Sequence, residues 1–239
     1  AAPVAPGEIA FLFPGQGSQY PGMLADIAMA FPEARATIER AAGQLAGVTP
    51  APLSSLISPP PAFDDATRAA QEAALKQTDV AQPAIGATSA AMLRVLAGFG
   101  LEPAMCAGHS FGEYTALHAA GAIDEATLVT LASARGRAII DAAGGDLGTM
   151  AAVAAPPETV RAALGDIPAT LANLNAPDQT VIAGPTAVVE AAMARMTAAG
   201  LAPKRLPVAC GFHSECVAPA RDRLAGALDG ARFLRPALP

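Results

Sequence analysis

The chain has 239 residues, roughly a quarter of them alanine; 52% are hydrophobic, with 22 Gly, 22 Pro, no Trp and 2 Tyr. That length suits one large domain, or a domain carrying a smaller insert, and so apolar a composition excludes a disordered or collagen-like chain. Fifteen basic residues against 21 acidic ones leave a net charge of −6. Only Lys76 and Lys204 are lysines, and no basic stripe exists to track phosphates, which argues against nucleic acid.

No run of 18 apolar residues suggests a membrane span, and the N-terminal stretch lacks the basic start of a signal peptide. Cys106, Cys210 and Cys216 are odd in number and have no CxxC spacing, which fits free thiols in a reducing, cytoplasmic compartment. His109, His118 and His213 are too scattered to form a metal site evident in the sequence.

In chain order, residues 1–7 read as a linker end. Ile9–Phe13 is a short strand followed by the Gly-rich turn Pro14–Gln19. Helical patterning covers 23–46, and the Pro- and Ser-rich stretch 49–64 is a surface connection with about one helical turn. A helical stretch over 65–98 is expected to break near Pro83. Pro103–Ala107 reads as a strand, Glu113–Ala120 as a helix, and a further helix runs from a cap at Asp124 to about Ala142. Strand, sharp turn and helix in mid-chain predict an α/β layer with a largely parallel sheet.

From about residue 145 the rhythm changes. Thr149–Ala154, Thr170–Leu174, Thr180–Ala183 and Ala202–Val208 read as strands, with helices over Pro157–Leu164 and Thr186–Ala199. That order, β-α-β-β-α-β, is that of a small ferredoxin-like unit. The predicted layout is therefore a large subdomain over 1–144 and 209–239 with an insert over 145–208. A helix over Val217–Leu228 closes the chain.

Gly108-His109-Ser110-Phe111-Gly112 fits the G-x-S-x-G nucleophile elbow. The glycines let the backbone pass closely, so that Ser110 Oγ points outward and the N–H groups that follow can stabilise an oxyanion at a helix start. The hydroxyl needs a base. His213, in Gly211-Phe212-His213-Ser214, is the favoured candidate; His109 and His118 are the alternatives, and Cys210 or Cys216 would be a different nucleophile without an elbow.

Five separated stretches then agree with one family: Phe13–Gln19, Gly108–Tyr114, Ala134–Arg137, Asn175–Pro177 with Val181–Gly184, and Gly211–Ser214. Together they resemble the acyl-CoA:acyl-carrier-protein transacylases, and more narrowly the malonyl-type acyltransferase domains of fatty acid and polyketide synthases. The resemblance runs from residue 9 to about 230.

It implies an α/β-hydrolase-like large subdomain with an inserted ferredoxin-like one, Ser110 as the acylated nucleophile and His213 as its base. It also implies Gln16 and the Phe111 N–H as the oxyanion hole, Arg135 as the ligand of a malonyl carboxylate, and Asn175 on a loop near the cleft. A guanidinium grips a carboxylate bidentately and would be left unpaired by a simple acyl group, which agrees with that role. Phe111 and Phe212 resemble the malonyl rather than the methylmalonyl type. Gly211 departs from the usual pattern and is expected to loosen the pocket wall.

The implied donor is malonyl-CoA, the acceptor is the phosphopantetheine of an acyl carrier protein, and no cofactor is permanently bound. The implied partners are that carrier and flanking synthase domains, a ketosynthase first. Lys204, Arg205, Arg221 and Arg223 are candidate docking cations for the acidic carrier. Such acyltransferases continue past this length with a further strand and helices. The resemblance therefore implies a large subdomain incomplete at its C-terminus, with the remainder absent or on a second chain.

Three other readings stay open. One is a transferase of the same type with methylmalonyl or other selectivity. Another is a serine esterase or thioesterase, with Asp141, Asp146, Asp166 or Asp178 as its acid. The third is a non-catalytic carrier-docking domain.

Overall fold

The computed structural model describes residues 7–142 and 146–239. Most of the expected linker at 1–7 and the expected boundary at 144/145 lie outside the described residues. The chain divides into two compact units, one up to Arg137 together with Gly226–Pro239, the other over Ala138–Ala225.

The first unit pairs two parallel strands, β1 (Ala10–Phe13) and β2 (Met105–Gly108), in the register Ala10↔Met105 to Phe13↔Gly108. Among the described residues this is the whole of the parallel sheet, less than the largely parallel layer expected. Helices α1 (Ala25–Ala30) and α2 (Pro32–Gln44) replace the single helix expected over 23–46. Phe31 is extended at φ −119°, as the residue before a proline prefers, and Pro32 opens the new helix where its missing N–H costs nothing.

The one-turn α3 (Leu53–Ile57) lies in the Pro-rich connection and buries Leu53 and Ile57. Helices α4 (Asp65–Lys76) and α5 (Thr78–Gly98) part at Gln77, not at Pro83. Asp64 caps α4 by accepting from the Thr67 N–H at 2.6 Å, whereas Pro83 sits inside α5, which continues through it. A proline there forfeits one backbone bond, and buried neighbours on either side hold the helix together.

α5 is long and apolar enough to cross a membrane, but 67% of its apolar window is buried inside the fold. It is the central helix of the unit, packed with Ile38, Ala41, Leu45, Leu53 and Ile57 through Val80, Ala84, Ala87 and Val95. Helix α6 (Gly112–Ala119) follows β2, and α7 (Glu125–Asp141) follows a cap in which Asp124 accepts from the Thr127 N–H at 2.7 Å.

The second unit runs β3 (Thr149–Val153), α8 (Pro157–Leu164), β4 (Thr170–Ala176), β5 (Gln179–Gly184), α9 (Thr186–Ala198) and β6 (Lys204–Arg205). Its four strands lie in the order β4-β5-β3-β6, every neighbouring pair antiparallel. The β4–β5 hairpin turns on Pro177 and Asp178 alone, since Ala176 pairs with Gln179.

Helices α8 and α9 cover one sheet face through Val160, Leu164, Val189 and Met196. β6 is far shorter than the expected 202–208 because Pro203 and Pro207 cannot donate to the ladder. A 3-10 turn over Glu215–Val217 precedes α10 (Ala220–Asp229), which starts three residues later than expected. Beyond β6, Cys210 and Phe212 pack with Ala138, Ile139 and Ala220 within this compact unit.

Candidate active site

The candidate residues fall on both units, and each half is built separately. In the first unit, β2 ends at Gly108 and α6 begins at Gly112, leaving three residues for the turn. Ser110 occupies its apex at φ 54°, in the left-handed region that an L-residue adopts only under constraint.

The constraint is visible in the glycines. A methyl group at Gly108 would collide with the Gly112 and Glu113 backbone, and one at Gly112 with the Phe13 carbonyl. The Gly-rich turn after β1 lies against the elbow: a methyl group at Gly15 would stand 2.5 Å from the His109 carbonyl oxygen and 3.3 Å from Ser110 Cβ. The His109 N–H donates to the Phe13 carbonyl at 2.9 Å and fastens the two turns together. Gln16 and Ser110 are thus neighbours through the backbones that carry them.

Phe111 is fully buried among Ile85, Leu128, Leu131 and Ala132, so its ring fixes the start of α6. Its N–H lies at that helix start, where backbone donors are free to meet an anion. Tyr114 stacks on Phe111 with ring centroids 5.9 Å apart. Burial raises the Tyr114 phenol pKa above its ordinary value, and the opposing pull of the Arg135 charge places that guanidinium in the same neighbourhood.

Arg135 itself is half-buried on α7, and a methyl group on the next residue, Gly136, would stand 2.6 Å from the Thr78 carbonyl oxygen. Arg137, two residues on, donates to the Val48 carbonyl at 2.9 Å and ties down a loop.

Of the rival bases in this unit, His118 is held by the backbone. His118 Nδ1 lies 3.1 Å from the Ile123 carbonyl oxygen, so it carries the proton and donates.

In the second unit His213 follows Phe212 in a tight turn, at φ 59°, again left-handed. Ser214 Oγ donates to the Gly211 carbonyl at 2.6 Å and accepts from the Cys216 N–H, which locks the loop. Phe212 packs on Met150, Val181 and Ala183 on the sheet face away from α8 and α9. Gly211 is pressed against β5: a methyl group there would stand 3.1 Å from the Gly184 carbonyl oxygen and from Ser214 Oγ. Close backbone packing accounts for this glycine, and there is no slack beside it. Asn175 lies exposed near the tip of the β4–β5 hairpin.

Three of the four candidate acids of an esterase reading are engaged elsewhere, and the fourth, Asp178, is exposed at the β4–β5 turn. Asp141 pairs with Arg223, Asp166 with Arg195, and Asp146 accepts from the Thr186 N–H and hydroxyl. Of the candidate docking cations, Arg205, Arg221 and Arg223 form surface ion pairs with Glu190, Asp222 and Asp141. Among the described residues no group of three or more His, Cys, Asp or Glu side chains could hold a metal ion.

Thr78 and Gln82, which the sequence did not single out, are also placed here: both are hydrogen-bonded to the Gln16 side chain. A polar pair at i, i+4 in an apolar helix was the available signal.

A sharp G-x-S-x-G turn between a parallel strand and a helix, with a Gly-rich turn beside it, places the protein among mixed α/β folds. The acyl transferase domain model matches residues 10–237, and the chain belongs to that family; it is an acyltransferase. It is 38% identical to the malonyl CoA-acyl carrier protein transacylase of Escherichia coli K12, over 97% of this chain and 73% of that protein.

Two solved structures are similar to it. The malonyl CoA-acyl carrier protein transacylase of Coxiella burnetii superposes with a TM-score of 0.88 at 32% identity, over 100% of this chain and 73% of the other. A malonyl-transacylase in holo complex with AntF, a type II PKS acyl-carrier protein, gives a TM-score of 0.84 at 35% identity, over 98% and 73%.

Proposed function

We propose that this acyltransferase moves a malonyl unit from malonyl-CoA to the phosphopantetheine thiol of an acyl carrier protein through a covalent malonyl-Ser110. The observation that carries the reading is the elbow itself: a serine held at φ 54° by glycines that admit no side chain, beside the Gln16 turn and ahead of a helix start. The names of the relatives supply the donor and acceptor.

In the proposed cycle His213 takes the Ser110 proton as Oγ attacks the thioester carbonyl. The Phe111 N–H and the Gln16 turn hold the oxyanion, and CoA leaves with its sulfur reprotonated. The carrier thiol then attacks the serine ester with His213 moving the second proton, and Ser110 is restored. Arg135, carried on α7, receives the free carboxylate. Phe212 restricts the α-carbon of the acyl unit and favours malonyl over methylmalonyl, and Asn175 flanks the cleft. The reading further assigns an α/β-hydrolase-like subdomain over 1–144 and 209–239 and a ferredoxin-like one over 145–208; the antiparallel order β4-β5-β3-β6 supports the latter.

The product would feed polyketide chain growth beside a ketosynthase. Exchange of Arg135 for Ala tests the assignment. Malonyl loading should fall by at least tenfold while loading of acetyl groups rises relative to it, because a charge-assisted pair to the carboxylate is lost. Unchanged selectivity would refute the role of Arg135.

A further inference from the structure

Three α5 residues spaced four apart, Thr78, Gln82 and Gly86, lie on one face of the helix and all face the candidate catalytic elements. Gln16 Nε2 donates to Thr78 Oγ1 at 3.3 Å, and Gln82 Nε2 donates to Gln16 Oε1 at 3.3 Å. A methyl group at Gly86 would meet the Phe111 ring at 3.3 Å. The Thr78 carbonyl, in turn, is what Gly136 packs against, one residue from Arg135.

Gln82 has no exposed surface, and among the described residues its Oε1 has no hydrogen-bond partner. Turning both amides over exchanges donors and acceptors but still leaves the outer atom of the Gln82 amide unpaired. A leucine would pack in this apolar helix without that penalty, so packing alone does not account for the amide. Its bond to Gln16 does.

Resting on the acyl-serine reading above, we propose that Gln82 is a positioning residue. With Thr78 it clamps both polar ends of the Gln16 carboxamide, and so holds the turn over Pro14–Gln19 against the Ser110 elbow. The Gln16 side chain is then spent on anchoring, and the turn offers backbone donors to the reaction. One rigid helix thereby registers the turn beside the nucleophile, the residue after the nucleophile and the helix that carries Arg135. Rigid support of this kind decides rates, because a 1 Å misplacement costs about a hundredfold.

The test is the single-turnover rate of Ser110 malonylation across a range of malonyl-CoA concentrations. The full chain is compared with its Gln82→Leu, Gln16→Ala and doubly substituted forms. The expected result for Gln82→Leu is a maximal rate lower by about ten- to a hundredfold with half-saturation moved less than about twofold. The double substitution should be no slower than Gln16→Ala, since Gln82 acts through Gln16. Amide exchange over 14–19 should quicken.

A maximal rate equal to the wild type, an effect confined to half-saturation, or losses that multiply in the double form would overturn the proposal. If Gln82→Leu does not fold, Thr78→Val removes the other half of the clamp and carries the same expectations. A wild type that takes up no malonyl overturns the acyl-serine reading and this proposal with it. A loaded wild type beside an unaffected Gln82→Leu overturns the proposal alone.

Discussion

Replacing Ser110 by Gly and, separately, by Ala tests whether the proposed nucleophile is held under strain. Both substitutions remove the hydroxyl, so the difference between them isolates the backbone. At φ 54° an L-residue carries a left-handed penalty of about 1–2 kcal/mol, which glycine does not. Glycine's greater freedom in the unfolded chain returns about 0.5–1 kcal/mol of that gain.

Ser110→Gly should therefore be more stable than Ser110→Ala by about 1 kcal/mol, or about 2–4 °C in Tm for a domain of this size. Paired urea and thermal denaturation of the two forms reads the difference directly. A Ser110→Ala form as stable as Ser110→Gly would show that the elbow is relaxed and that the surrounding glycines do not impose its geometry. His213, at φ 59°, carries the same expectation for its Gly and Ala substitutions, with a smaller shift where the loop can relax.

The elbow's neighbours give a contrast within one residue type. Gly112→Ala drives a methyl group into the Phe13 carbonyl and within 2.9 Å of the Pro14 oxygen, and should cost about 3 kcal/mol by overpacking. Gly43→Ala, in α2 with nothing within 4 Å, should stabilise by about 0.5–1 kcal/mol; equal urea midpoints for the two would refute the steric account.

Glu125 accepts from Arg40 at 2.8 Å and from Arg94 at 2.8 Å, joining α7 to α2 and α5. Burial alone would raise its carboxyl pKa, but the two arginines outweigh it and hold the pKa below the ordinary 4.5. A lowered folded-state pKa means that the stabilisation is present above the unfolded value and disappears as pH falls through the folded one. Glu125→Gln should thus cost about 1 kcal/mol at pH 7 and progressively less below pH 4.5, and a penalty that does not change with pH would contradict the pairing.

The site was legible where local chemistry dictates local shape. The G-x-S-x-G stretch announces a turn that excludes side chains, and a turn of that kind lies at 109–111 between β2 and α6. Asp124 announces a helix start, and its carboxylate caps α7. The four strands and two helices after residue 145 appeared in the expected order, since alternation and punctuation by Gly and Pro suffice for short elements.

What escaped reading depends on distant neighbours. Gln77 ends a helix run without any side-chain cap, and only packing of Thr78 and Val80 into the core explains why the chain turns there. The prolines flanking Lys204 and Arg205 were visible in the sequence, and only the pairing itself shows how little ladder they leave. The approach of β5 to Gly211 was not visible in the sequence, because it depends on a strand 27 residues away. Gln82 looked like one polar residue among alanines, and only the loop that folds onto it from 66 positions away gives it a partner.

Intact-mass measurement after incubation with malonyl-CoA, followed by peptide mapping, tests the central claim most directly. The account predicts one malonyl group per chain, attached at Ser110, absent from Ser110→Ala and discharged by a carrier-protein thiol. No adduct on the wild type, or one that persists in Ser110→Ala, would contradict it.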